Sequence, residues 1–376
     1  MRRNAALDGL RGAAALAVTF YHGMLHFDPT LVDRVLYRRV LAVEPQLLPV
    51  KLLLAVFNGE SAVIVFFVLS GLVLRGALDR MSDLPFPQAA MIFTGRRLLR
   101  IYPAVVFSMA VFFALSRLSV ALRLPNFPAF GWGQFLANAT LESTPMHGPS
   151  WSIQVELMAI PFLLAAELLR RVFGLLGLLG AFVFALLAID YPSLVFDLPA
   201  LWPYLFMFFL GMLINGPLVA KTVQALHPAS SFVALGLFIF ARHVTERGAI
   251  SGLIAQGLLA GLLVACVATR TDALTRWLRT PLCQYLGRIS YGFYLLNVPA
   301  LYVVWAIIET QVADPGHHPI RWGLASALAA TALTLPLASW CASAVERPFI
   351  GLGLRLFPTR NGQAPDVLTP RTAGDA

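Results

Sequence analysis

Arg11 and His22 are the residues of this chain best placed to do chemistry. Both lie in its first apolar stretch, LRGAAALAVTFYHGMLHF (10–27). On a helix turning about 100° per residue, the step from one to the other returns to within about 20° of the same face and rises roughly 16 Å. Ionisable groups inside a membrane helix are costly and face an interior cavity. One helix would therefore present a fixed cation near its start and a proton-transfer group about three turns deeper. That arrangement suits a long anionic cofactor threaded into a membrane protein. Taken singly, Arg11 would snorkel to the headgroups and His22 would hydrogen-bond a neighbouring helix. Taken in register with the motifs below, the pair points to function.

Further stretches carry reactive side chains. GESAVIVFFVLSGLVL (59–74) places Ser70 and Gly71 inside an apolar helix. The pair permits either close helix packing or a break exposing backbone amides. RRLLRIYP (96–103) puts Arg97 and Arg100 on one helical face, with Tyr102 beside Pro103, which is expected to set the start of a span. Guanidinium forks suit phosphate oxygens, although arginines here would also serve as ordinary membrane anchors. In HGPSWSIQVE (147–156), Gly148 and Pro149 break the chain before the interfacial aromatic Trp151. Glu156 then falls about a turn and a half into an apolar segment. There it would orient a histidine of another helix, take a hydroxyl proton, or pair with an arginine. LGRISYGFYLLN (286–297) carries a polar stripe of Ser290, Tyr291, Tyr294 and Asn297, which would line a cavity or bind helices together. Glu346 and Arg347 read as a local pair, with Pro348 ending the last helix.

The elements that must position these residues are membrane helices. Of the 376 residues, 58% are hydrophobic and 12% charged, and the mean hydropathy is +0.74. Soluble domains carry about twice that share of charge. The sequence predicts an all-α polytopic bundle of about ten transmembrane helices, near 8–27, 52–76, 101–121, 151–169, 172–189, 200–217, 229–243, 249–269, 285–308 and 323–345. Basic residues favour the N-terminal side by roughly two to one, which sets the N- and C-termini in the cytoplasm. The first helix is expected to be retained rather than cleaved. Residues 1–357 read as one membrane domain and 358–376 as a disordered cytoplasmic tail. The net charge of +9 reads as arginines facing anionic lipid, not nucleic acid. Cys266, Cys283 and Cys341 lack metal-ligand spacing, and no metal is expected.

LDGLRGAAALAVTFYH (7–22), FFVLSG (66–71), RRLLRIYP (96–103), SWSIQVE (150–156), LGRISYGFYL (286–295) and ERPF (346–349), in this order, resemble the acyltransferase-3 family. These are integral membrane O-acyltransferases of bacterial surface glycans and some small glycosides. The resemblance implies a stand-alone membrane domain in the bacterial inner membrane, a cytoplasmic acyl-CoA donor and transfer to a sugar hydroxyl. It maps the family's arginine–ten residues–histidine motif onto Arg11 and His22, and its RxxR motif onto Arg97 and Arg100. Many members carry histidine where this chain has Asn297, so a proton-transfer role there is replaced by hydrogen bonding.

These readings combine into one expected site. His22 and Glu156 would be catalytic. Arg11, Arg97, Arg100, Tyr102 and Ser70 would bind the donor, acyl-CoA (acetyl-CoA first), used as a co-substrate with no tightly bound cofactor. Trp151, Ser290, Tyr291 and Asn297 would bind the carbohydrate acceptor. Membrane lipids are the remaining partner, and a homo-oligomer is left open. Glu156 is expected near His22, with the donor phosphates at the opposite mouth. The rival reading is a transporter or flippase of glycans or lipid-linked sugars, which broken helices and buried charges fit as well.

Overall fold

The computed structural model describes residues 4–124, 126–198, 200–241 and 249–359. Arg2, Arg3, Arg242 and Arg247 lie outside them, as do residues 360–376, most of the expected tail. The described residues are helical throughout their regular structure, with no strand.

The chain opens with α1 (Ala5–His26), α2 (Leu48–Val56), α3 (Gly59–Asp79) and α4 (Phe86–Leu122). Next come α5 (Trp132–Ala139), α6 (Trp151–Met158), α7 (Ile160–Phe173) and α8 (Leu175–Asp190). They are followed by α9 (Leu205–Ile214), α10 (Pro217–Gln224), α11 (Ser230–Phe240) and α12 (Ile250–Thr269). The last four are α13 (Ala273–Leu278), α14 (Pro281–Gln311), α15 (Pro319–Cys341) and α16 (Arg347–Leu356). Six described stretches are long and apolar enough to cross a membrane: Pro45–Asp79, Phe86–Leu122, Pro145–Phe173, Ile250–Thr269, Pro281–Gln311 and Pro319–Leu356. The pair α9–α10, bent by 76°, makes a seventh if it is one broken span. The shorter apolar helices α8 and α11 fall on two more of the expected spans.

α1 stands apart from that set because it faces protein instead of lipid. It packs on α14, α15 and α3, so its glycines, alanines and charged residues need not be strongly apolar. Its contact with α14 is backbone on backbone. A Cβ on Gly12 would stand 2.6 Å from the Gly287 nitrogen, and one on Gly287 would stand 2.3 Å from the Asp8 carbonyl oxygen. α3 meets α9 equally closely, since a Cβ on Gly71 would lie 1.9 Å from the Phe208 carbonyl oxygen. Asn4 and Asn58 cap α1 and α3 by accepting from the Ala6 and Ser61 amides.

Two prolines act differently from expectation. Pro103 does not open a span: α4 begins at Phe86 and runs through it. Arg97 is thereby carried into the bundle. Pro348 does not end the last helix but sits in the first turn of α16, where its missing N–H costs nothing.

Candidate active site

Six segments converge on a polar cavity of about 130 Å³. α1 supplies Arg11, α3 Ser70, α4 Arg97 and Arg100, and α6 Ser152 and Glu156. α14 contributes Arg288, Ser290, Tyr291 and Tyr294, and the π-helical turn Ala342–Glu346 contributes Glu346. The arginines descend from surface to interior. Arg100 and Arg288 are exposed, Arg11 is half-buried, and Arg97 is 8% exposed. Four guanidinium groups against two carboxylates leave the wall positive in formal charge, as an anionic ligand requires.

Glu156 ties the cavity together. Its Oε1 accepts from Ser70 Oγ at 2.5 Å and its Oε2 from Arg97 Nη2 at 2.8 Å. The buried Nε of Arg97 has no hydrogen-bond partner among the described residues. The carboxylate reaches this depth because α6 starts inside the bundle. The 3-10 segment Pro145–Ser150 breaks at His147 (φ −128°, ψ 81°), as Gly148 and Pro149 lead one to expect. Tyr294 pins that segment, with its Oη 2.8 Å from both the Pro149 carbonyl and Ser152 Oγ. Tyr291 ties α14 to α4 by donating to the Ile101 carbonyl at 3.0 Å.

His22 does not line this cavity. The ionisable groups within its electrostatic reach are His147 and Glu60. Between Arg11 and His22, the α1 residues Ala14, Ala15 and Val18 are buried in an apolar layer with Ile101, Val105 and Phe293. The expectation that Glu156 lies across the bundle from the donor arginines is therefore corrected. Glu156 shares their cavity and pairs with Arg97, because the buried 3-10 segment Pro145–Ser150 starts α6 among them.

Of the other expected residues, Ser70, Ser290 and Tyr291 line the cavity. Tyr102 instead donates to the Thr140 carbonyl at 3.2 Å. Trp151 packs between Phe67 and Tyr204. Asn297 is wholly buried and donates to the Tyr294 carbonyl. Sequence reading assigned no site role to Arg288 or Glu346. Arg288 follows Gly287 in a quoted motif. Glu346 does not answer Arg347 alone: its Oε1 accepts from the Gly292 amide at 3.1 Å. Gly292 lets the carboxylate come this close, since a Cβ would stand 2.9 Å from its oxygen and push it aside. The groups of cysteine, histidine and carboxylate needed for a metal site are not found among the described residues.

Comparison with known proteins bears on this geometry. A family model described as an acyltransferase domain, Acyl_transf_3, matches residues 4–342. The chain belongs to the acyltransferase-3 family. The cavity of this acyltransferase lies inside the matched region except for Glu346. A protein of Bacillus subtilis (strain 168) named "Putative peptidoglycan O-acetyltransferase YrhL" is 26% identical over 170 residues, covering 43% of this chain and 24% of that relative. The aligned region thus spans about a quarter of the relative's length. No solved structure matches the chain. The acyltransferase is a multi-pass helical membrane protein by its apolar helices and its family.

Proposed function

We propose that this protein moves an acyl group, acetyl first, from cytoplasmic acyl-CoA to a sugar hydroxyl of a surface glycan or glycoside, in the bacterial inner membrane. The observation that carries the reading is the arginine-lined cavity, with the buried, unpartnered Nε of Arg97 at its inner end. Phosphate oxygens are acceptors matched to guanidinium forks. The family supplies acyl transfer, and the relative's name supplies a carbohydrate acceptor such as peptidoglycan.

In this reading Arg100, Arg288 and Arg11 hold the coenzyme A phosphates at the mouth. Arg97 is kept in place by Glu156, which is itself steadied by Ser70. Glu156 therefore acts on the donor side, by fixing Arg97. The pantetheine arm spans the roughly 16 Å of helical rise from Arg11 toward His22, parting the layer of small residues at Ala14 and Ala15. His22 takes the proton of the acceptor hydroxyl. The oxygen bonds to the thioester carbon, the C–S bond breaks, and the sulfur leaves as coenzyme A thiolate. Ser290 and Tyr291 help to fix the reacting groups.

Protein reconstituted in vesicles tests this with labelled acetyl-CoA on one side and solubilised peptidoglycan strands present. A labelled ester on the glycan is the expected result. Movement of unmodified glycan without ester would replace this reading with transport.

A further inference from the structure

The carbonyl of Leu295 lies four residues before Pro299, inside α14. Proline has no N–H, so this carbonyl lacks its helical partner. Two side chains take the vacant place. Ser108 Oγ donates to it at 2.9 Å, and His147 Nε2 lies 2.7 Å from it. A carbonyl oxygen only accepts, so Nε2 carries the proton and Nδ1 keeps a lone pair. His147 is wholly buried, and its Nδ1 has no hydrogen-bond partner among the described residues. Asn297, on the same stretch of α14, repeats the pattern. Its Nδ2 is used by the Tyr294 carbonyl, while its buried Oδ1 has no partner there. Buried polar atoms are almost always paired. Two unpaired acceptors beside one helical turn mark a place for a donor.

The break at His147 holds its ring against Phe112 of α4 as well as against α14. α1 and α14 run side by side in the same direction, with Gly9 against Cys283 and Gly12 against Gly287, so His22, ten residues beyond Gly12, stands level with Asn297, ten beyond Gly287. Neither ring nitrogen of His22 is held by a hydrogen bond among the described residues.

We propose that His147 is a positioning residue for His22. Its Nδ1 accepts the N–H of the His22 ring, directly or through one water, which Asn297 Oδ1 helps to hold. The other His22 nitrogen is then kept unprotonated and turned to the acceptor hydroxyl. When the hydroxyl proton moves to that nitrogen, the new imidazolium still donates to His147, whose own N–H stays on Leu295. His147 never becomes charged. This rests on the base role proposed above for His22.

Two amide replacements in the full-length protein test the idea. Glutamine sets a donor where Nε2 stands, keeping the Leu295 bond, and offers no acceptor at Nδ1. Asparagine sets an oxygen near Nδ1 and gives up the Leu295 bond. With acetyl-CoA and solubilised peptidoglycan strands, His147→Gln should lose at least about tenfold in kcat while donor KM stays within about twofold. His147→Asn should keep more activity than His147→Gln. Wild-type kcat in His147→Gln, or the reverse order of the two variants, overturns the proposal, because a packing role alone predicts that order. If His147→Gln does not fold, Pro299→Ala decides. It restores an N–H that competes for the Leu295 carbonyl and so loosens an unchanged His147. A lower kcat with unchanged donor KM supports the proposal, and an unchanged kcat overturns it. Absence of ester with the wild type is a different failure, which removes the acyl-transfer reading itself.

Discussion

Arg97 and Glu156, 59 residues apart in sequence, are joined by a 2.8 Å ion pair in the wall of the polar cavity. The pair makes the inner arginine a structural element as well as a candidate ligand for phosphate. The outer arginines have no such double role, and the difference is measurable.

Arg97→Ala should weaken acyl-CoA binding and also lower stability. It strips a partner from a carboxylate that is 18% exposed, at a cost of about 1–3 kcal/mol. Arg100→Ala should weaken binding with the melting temperature unchanged, since Arg100 is exposed. Arg97→Lys should restore binding only in part, because an ammonium cannot make the fork. Titration of acetyl-CoA against the purified variants decides the matter. Wild-type affinity in Arg11→Ala, Arg97→Ala and Arg100→Ala together would return these residues to membrane anchoring.

Glu156→Gln should act through Arg97. Its effect on donor KM and that of Arg97→Ala should fall short of adding, with a coupling of about 0.5–3 kcal/mol. Strict additivity in the double variant would show that Glu156 works elsewhere. A loss confined to kcat would point the same way.

His22→Ala should leave a folded, membrane-inserted protein that binds acetyl-CoA and transfers nothing. His26 is the control. It lies one turn further along α1, bonded to Glu309 at 2.8 Å and stacked on Trp305, so His26→Gln should retain transfer. Normal glycan acylation by a well-expressed His22→Ala variant would end the general-base assignment.

Gly71→Ala should fail to fold or lose at least about 1–3 kcal/mol, because its methyl would meet the Phe208 carbonyl. Gly180→Ala, in α8 with nothing within 4 Å of the new Cβ, should be neutral or stabilising by up to about 1 kcal/mol. Thermal unfolding in detergent compares the two. Equal melting temperatures would mean that α3 and α9 are less closely packed than described.

The sequence alone was enough for the helical membrane class, for the break before Trp151 and for the shared face of Arg97 and Arg100. Each follows from hydropathy, helical period or the backbone limits of glycine and proline, which act over a few residues. Arg11 and His22 were likewise legible as two groups on one helix. Which groups face each other across helices was not legible. Glu156 could have met His22 or an arginine, and local pattern holds no term that separates the two. The tertiary structure decided it through the buried 3-10 segment Pro145–Ser150, which sets the start of α6 beside Arg97. It also brought Glu346 onto Gly292 from the far end of the chain. It also set His147 on the Leu295 carbonyl, which Pro299 frees by a purely local effect. These pairings depend on how deep each helix sits and where it touches its neighbours. That is settled only when all the backbones pack together, with glycines such as Gly12 and Gly287 setting how closely they approach.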